Sequence, residues 1–206
     1  MRPPLLMPLI VLLGAVTWAR AEPESKPSDP GDSPKAALQA QDAAAMSGKV
    51  EEDMSFYQSE SEQQKTLARA AAELDVAVAK VRKAVEQKYG KELSAAVAHA
   101  AGTVDPRDID AASEKVDGDK ATLEWSRGDL PALHMVRTDG KWKVSLSEML
   151  KDVDPGQVDQ LTKSLQHLAT EIDKVDTLVE HDKFRSGQGV RDRVQELHDQ
   201  AFADQP

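Results

Sequence analysis

The chain of 206 residues contains no cysteine and no asparagine, and only 4% of its residues are aromatic. Without cysteine it has no disulfides, no thiolate zinc site and no cysteine nucleophile. Without asparagine it has no acceptor for N-linked glycans. Basic residues are also in deficit, since 36 Asp and Glu stand against 26 Lys and Arg. This balance argues against nucleic acid as a partner, because binding a phosphate backbone requires clustered positive charge.

The first 21 residues have the pattern of a secretory signal peptide. Arg2 gives a positive start, an apolar run extends from Leu5 to Val16, and Ala19-Arg20-Ala21 forms a small-x-small cleavage site. The apolar run is shorter than the roughly 20 residues that a membrane span needs; an uncleaved anchor is the alternative. We expect an exported protein, periplasmic or secreted, that is cleaved after Ala21 and has no membrane contact thereafter.

Residues 22–53 are rich in Pro, Ser, Ala and charged residues and poor in large apolar ones. Such a stretch buries too little apolar surface to offset the entropy of ordering, so it predicts a disordered linker with a nascent helix over residues 36–45. A spacer that holds the domain away from a surface is the alternative. Two further regions are predicted, a cone-like α+β domain at 54–150 and a C-terminal helical extension at 151–206.

Helical periodicity dominates the first part of the α+β domain. Apolar residues between Leu67 and Tyr89 recur every three or four positions, which predicts an amphipathic helix over residues 59–89. A shorter apolar repeat follows Gly90 and stops at Gly102, so a second, short helix is expected there.

The period changes in residues 111–146, where apolar and polar side chains alternate between three turn signals made of Asp and Gly. This pattern predicts an antiparallel meander of about four strands with one buried face. Trp125 and Trp142 both fall on the predicted buried face. Helix 59–89 is expected to lie across that face.

A heptad repeat marks the helix predicted over residues 147–183. It begins with Asp154 as N-cap, Pro155 in the first turn and Gln157 three residues after the cap. Its apolar seam is narrow, which favours one partner helix. Either the seam packs within the chain, antiparallel to helix 59–89, or helix 158–179 forms a homodimer or docks a protein partner. The candidate interface residues of this seam are Val158, Leu161, Leu165, Leu168, Ile172 and Val175.

Together these elements predict an α+β fold. N-terminal helices pack on the antiparallel meander, the long heptad helix follows, and a short last helix comes after a loop at residues 186–189.

The segment from Asp117 to Leu123 and the segment from Leu133 to Val144, which contains Asp139-Gly140-Lys141-Trp142-Lys143, resemble the end of a nuclear-transport-factor-2-like (SnoaL-like) domain. The resemblance covers about residues 60–146. In that superfamily, helices close a curved sheet into a cone. Its members include isomerases, cyclases, dehydratases and non-enzymatic binding or assembly modules, so the resemblance implies a fold with a pocket but no particular reaction. The long heptad helix departs from the family pattern.

Enzymes of that superfamily use a Tyr or an Asp/His arrangement inside the cone, which directs attention to a few side chains of this sequence. From the residues alone, the same side chains also fit packing or surface positions. The sequence has no nucleophile elbow, no phosphate-binding glycine loop and no zinc-helix histidine spacing. We therefore assign no catalytic residue, metal or cofactor. The pocket candidates are Tyr89, His99, Asp108, Trp125, His134, Met135 and Trp142.

The sequence favours an exported, non-enzymatic binding or interaction module. The alternative is a small-molecule binder or cofactor-free enzyme with a pocket for a small apolar ligand between helix 59–89 and the sheet. A third hypothesis is a structural spacer at the cell envelope. The tripeptide Arg127-Gly128-Asp129 spells a cell-adhesion motif, but its position between two predicted strands favours a turn.

Overall fold

The computed structural model describes residues 33–126 and 130–203. The predicted signal peptide, residues 22–32 of the predicted linker and the Arg127-Gly128-Asp129 tripeptide lie outside these ranges. None of the described helices is long and apolar enough to cross a membrane.

The predicted α+β class is confirmed. The helices are α1 (Pro34–Met46), α2 (Val50–Met54), α3 (Glu62–Tyr89), α4 (Lys91–Ala100), α5 (Pro106–Ala111), α6 (Leu146–Met149), α7 (Pro155–Glu180) and α8 (Gly187–Phe202). The strands are β1 (Tyr57–Gln58), β2 (Ser113–Asp117), β3 (Lys120–Glu124), β4 (Leu133–Thr138) and β5 (Lys141–Ser145).

The sheet has five strands in the order β1-β5-β4-β3-β2. Strands β2 to β5 form the predicted antiparallel meander, and positive φ angles at Gly118, Asp139 and Gly140 allow its two tight turns. The fifth strand, β1, pairs with β5 in parallel. It has two residues, too few to leave an alternating pattern in the sequence.

The long helices α3 and α7 lie side by side and run in the same direction. Near their starts, Nε2 of Gln63 donates to Oδ1 of Asp159 at 2.8 Å. Near their ends, Nζ of Lys88 donates to Oδ1 of Asp182 at 2.7 Å. The two pairs are 96 and 94 residues apart along the chain, and this constant offset means parallel packing. The predicted antiparallel arrangement is wrong, because an apolar seam has the same periodicity in either direction.

The chain's own α3 covers the heptad seam of α7. Four seam residues are buried, and Leu161 and Leu165 are half-buried. The sequence left open whether the seam packs within the chain or binds a second protein, and in the structure it packs within the chain. Helices α4 and α8 join the same core, so the predicted boundary at residue 150 does not separate two hydrophobic cores. The buried seam residues are Val158, Leu168, Ile172 and Val175.

Helix α8 begins inside the predicted loop. Oγ of Ser186 accepts a hydrogen bond from the backbone N–H of Gly189 at 3.2 Å and caps the helix. Gly187 lies tightly against α3 and α4, since a Cβ there would be 2.5 Å from Cδ1 of Leu93 and 2.9 Å from Cβ of Tyr89. The glycine that suggests a helix break therefore permits close packing at a helix start.

Residues 33–53 contain α1 and most of α2, so for them the predicted disordered linker is wrong, whereas the helix expected over residues 36–45 is present within α1. Ser33 caps α1 through its side chain, and Pro34 occupies the first turn. Small residues such as Ala37 and Ala45 are buried and pack against the sheet and α3. Each buries little area, but their size lets the helix approach its neighbours closely, and composition alone does not show this.

The inner face of the sheet packs mainly against α1 and α5. No residue of α3 belongs to this sheet core within the described ranges. The expectation that helix 59–89 lies directly on the Trp-bearing face is therefore wrong. The buried sheet residues are Ala121, Leu123, Met135, Trp142 and Val144, and the helix residues packed on them are Ala37, Leu38 and Ile109.

Truncating the α3–α7 seam should destabilise the fold. Leu168 is 0% exposed and Leu178, on the same helix, is 40% exposed. We expect Leu168→Ala to lower the free energy of unfolding by about 2–5 kcal/mol, whereas Leu178→Ala changes it by less than about 0.5 kcal/mol. Urea unfolding followed by circular dichroism measures both. Equal, small losses would contradict the packing of α7 on α3.

Candidate functional site

A cavity of about 310 Å³ lies between α1, α3 and the inner side of the sheet. An engineered apolar cavity of about 150 Å³ is enough to hold benzene, and small-molecule pockets begin near about 300 Å³. This cavity therefore has room for a small organic molecule. Apolar residues that line it are Leu38, Ala45, Leu74, Val78, Ile109 and Val144.

Helix α3 contributes to both the helical core and the cavity. One face packs on α7, and a stripe at helical spacing, which shares Leu74 and Val78 with that core, lines the cavity. That stripe contains Ala71, Leu74, Asp75, Val78 and Arg82. Two ionisable side chains thus lie in line with apolar residues, with Arg82 buried and Asp75 half-buried.

Two carboxyl groups are part of the cavity wall. Asp53, near the end of α2, is 0% exposed; its Oδ1 accepts a hydrogen bond from Nε2 of Gln41 at 3.2 Å, and its Oδ2 has no hydrogen-bond partner in the described chain. On α3, Oδ2 of Asp75 accepts from the hydroxyl of Tyr57 at 3.1 Å. A buried carboxyl oxygen without a partner is costly, by about 1–3 kcal/mol.

Burial raises the pKa values of the acidic groups in this cluster. It raises the pKa of Asp53 to about 8, and the negative charge of Asp75 acts in the same direction. Burial also raises the pKa of Asp75 to about 6, against the hydrogen bond from Tyr57. The pKa of the Tyr57 hydroxyl is raised well above its ordinary value, first by burial and then by Asp75. Both carboxyls therefore keep their protons to a higher pH than exposed aspartates do, and the pKa of Asp53 is raised further than that of Asp75.

The positive charge of Arg82 is engaged by other carboxylates. Its Nη1 lies 2.6 Å from Oδ1 of Asp42, and its Nη2 lies 3.9 Å from Oδ2 of Asp105. Its buried Nε has no hydrogen-bond partner in the described chain. Within the described ranges, neither Asp53 nor Asp75 has an ion-pair partner. The cavity thus has a charge imbalance at its polar wall.

Of the predicted pocket residues on the sheet, Trp125 lines the cavity. Met135 and Trp142 are buried in the sheet core and are not among the lining residues. His134 faces Thr122 on the neighbouring strand, with Nδ1 3.3 Å from the hydroxyl oxygen, and also lies outside the cavity lining.

The predicted pocket residues on the helices have structural partners elsewhere. The Tyr89 hydroxyl donates to the backbone oxygen of Phe184 at 3.2 Å. Nε2 of His99 lies 2.8 Å from Oδ2 of Asp108, and the same oxygen accepts from the backbone N–H of Asp105 in the capping box of α5. The structure therefore does not bring Tyr89 and His99 together with Trp125 in one site.

Sequence reasoning missed the polar wall of the cavity. Asp53 falls in the predicted linker, and Tyr57 belongs to a strand of two residues. The sequence did contain one indication of this wall. On α3, Asp75 and Arg82 fall on the same helical stripe as the apolar Leu74 and Val78, and not on the opposite, polar face.

The raised pKa of Asp53 makes stability depend on pH. Between pH 4 and pH 8 the folded protein keeps a proton on Asp53 that the unfolded chain releases, so stability falls as pH rises through this range. Asn at this position has no proton to lose. We expect the unfolding free energy of Asp53→Asn, relative to wild type, to increase by about 1–3 kcal/mol from pH 4 to pH 8.

Urea unfolding at the two pH values measures this difference. The matched control is Asp173→Asn, since the side chain of Asp173 is 56% exposed and pairs with Lys80. It should change stability by less than about 0.5 kcal/mol at either pH. A pH-independent difference for Asp53→Asn would show that this carboxyl is not held neutral.

The chain matches no known protein-family model, no curated protein sequence and no solved structure. The resemblance to nuclear-transport-factor-2-like domains is not tested by these comparisons and stays a prediction. The geometry of the cavity is therefore the basis on which a function can be assigned.

Proposed function

We propose that this chain is an exported, non-enzymatic protein that binds a small molecule in the cavity between α1, α3 and the sheet. The observation that carries the proposal is the unpartnered Oδ2 of Asp53 in the wall of a 310 Å³ cavity. Natural proteins satisfy nearly all buried polar atoms, so an exception in a cavity wall points to a function.

The surface offers less support for a protein-binding role. The α7 seam is occupied by α3. In the described part of the chain, the exposed large apolar residues are Val116, Met149 and Leu178, each on a different element. Single apolar residues are ordinary on protein surfaces. Binding inside the molecule is therefore favoured over docking through these positions.

Export is proposed from residues 1–21 alone, whose charge, apolar run and cleavage site fit a signal peptide. An exported binding protein meets its ligand outside the cytoplasm. The small-molecule alternative considered from the sequence placed a pocket between helix 59–89 and the sheet, and the presence of α3 residues in the cavity lining supports the proposal.

Tryptophan fluorescence can report on occupancy of the cavity. Trp125 lines it, whereas Trp142 is 3% exposed and buried in the sheet core. In a Trp18→Phe background, a ligand should change the emission of the Trp142→Phe protein, where Trp125 reports. It should leave the Trp125→Phe protein, where Trp142 reports, nearly unchanged. The first probe is 4-phenylbutan-1-ol, followed by a library of small amphipathic molecules.

Filling the cavity should prevent binding. Ala71 lines the cavity, and Ala71→Leu adds three carbon atoms there. We expect affinity for any molecule found by fluorescence to fall at least about tenfold. Ala111→Leu, at an exposed position outside the cavity lining, should leave affinity unchanged. A silent Trp125 throughout the library, or full binding by Ala71→Leu, would overturn the proposed function.

A further inference from the structure

We propose that the ligand of this cavity is a primary amine with an apolar body, and that Asp53 and Asp75 bind its ammonium group. This inference rests on the proposed function and specifies the ligand class of the same site.

Charge is the first argument. Three carboxyls, those of Asp42, Asp53 and Asp75, line the cavity, and Arg82 is the only cationic residue among the described residues that line it. Arg82 already faces Asp42 and Asp105. Of the two remaining lining carboxyls, the negative charge of Asp75 opposes the ionisation of Asp53. An anionic ligand would worsen this imbalance, whereas a cation would correct it.

Hydrogen bonding is the second argument. Oδ2 of Asp53 is buried and has no partner, and Asp53 lines the cavity, so a donor that reaches this residue from the cavity would supply the missing hydrogen bond. The hydrogen bond from Tyr57 fixes the carboxyl of Asp75 through Oδ2. An ammonium group carries three donors and no acceptor, and donors are what two carboxyls require.

The cation is organic. No group of three or more His, Cys, Asp or Glu side chains in the described ranges could hold a metal ion. Most of the remaining lining is aliphatic, with Leu38, Leu74 and Val78 close to the carboxyl cluster in sequence and on the same helices α1 and α3. A bare ion gains nothing from such walls, whereas an alkyl or aryl body fills them.

Protonation gives the site a pH dependence. The groups that act on Asp53 are Gln41 and Asp42 from α1 and Asp75 from α3, and the pKa of Asp75 is itself affected by Tyr57, Asp42 and Arg82. Below about pH 8, Asp53 carries a proton. When an ammonium group docks, the Asp53 O–H bond breaks, the proton goes to solvent and the carboxylate pairs with the ligand. Affinity should therefore rise from pH 6 to pH 8 and then level off.

The test compares three probes of nearly equal shape with the full chain by calorimetry at pH 8. These are 4-phenylbutylamine, 4-phenylbutan-1-ol and 4-phenylbutanoate. We expect the amine to bind at least about tenfold tighter than the alcohol, as charge-assisted hydrogen bonds predict, and the carboxylate to bind weakest. At pH 7 the amine should also release protons, seen as a dependence of the binding heat on the ionisation enthalpy of the buffer.

Variants separate the ammonium contact from binding in general. Asp53→Asn and Asp75→Asn should each abolish the advantage of the amine over the alcohol measured on the same variant, and measurable alcohol binding shows that each variant is folded. Asp173→Asn, an exposed matched control, should alter neither. If the alcohol binds as tightly as the amine, the ligand class is wrong and the binding function stands. If none of the probes binds and Trp125 is silent, both proposals fail.

Discussion

The rest of the structure depends on two long helices that lie side by side in the same direction. Because α3 and α7 are parallel, the chain must return from the end of α3 to its beginning before α7 can start. Helices α4 and α5 and the sheet occupy this return path. One face of α3 is thereby sealed by α7, α4 and α8. The stripe of α3 that contains Asp75 and Arg82 faces the sheet instead and forms one wall of the cavity.

The cavity follows from how the sheet is covered. Its inner face packs against α1 and α5, and the small residues of α1 bring that helix close. Asp53 and Tyr57 enter the same interior from α2 and β1, opposite Asp75 of α3. Burial in low-dielectric surroundings then sets their chemistry, because it disfavours the charged form of each carboxyl. The raised pKa values, the unpartnered oxygen and the charge imbalance thus all result from burying these carboxyl groups together in the cavity wall.

Local signals predicted most elements, and non-local packing limited the rest. The apolar repeat of α3, the Asp154 cap of α7 and the hairpin turns are determined by neighbouring residues, and the structure has each of them. The direction of α7 could not be predicted, because a seam has no polarity. Helix α1 was expected only as a nascent helix within a linker, since its buried residues are small. In the sequence, Asp53 and Asp75 cannot be distinguished from the surface carboxylates of any acidic chain, because only the fold buries them. Among the predicted pocket residues, Trp125 is the one that lines the cavity.

The parallel pair also sets the order in which the molecule can be completed during synthesis. The residues that form hydrogen bonds between α3 and the α7 region are 94 and 96 positions apart in sequence. The α7-facing stripe of α3 therefore lacks its partner helix until α7, in the last quarter of the chain, has been synthesised. Contacts over such distances form late, after local helices and hairpins. Until then a long apolar strip is open to solvent, which favours aggregation.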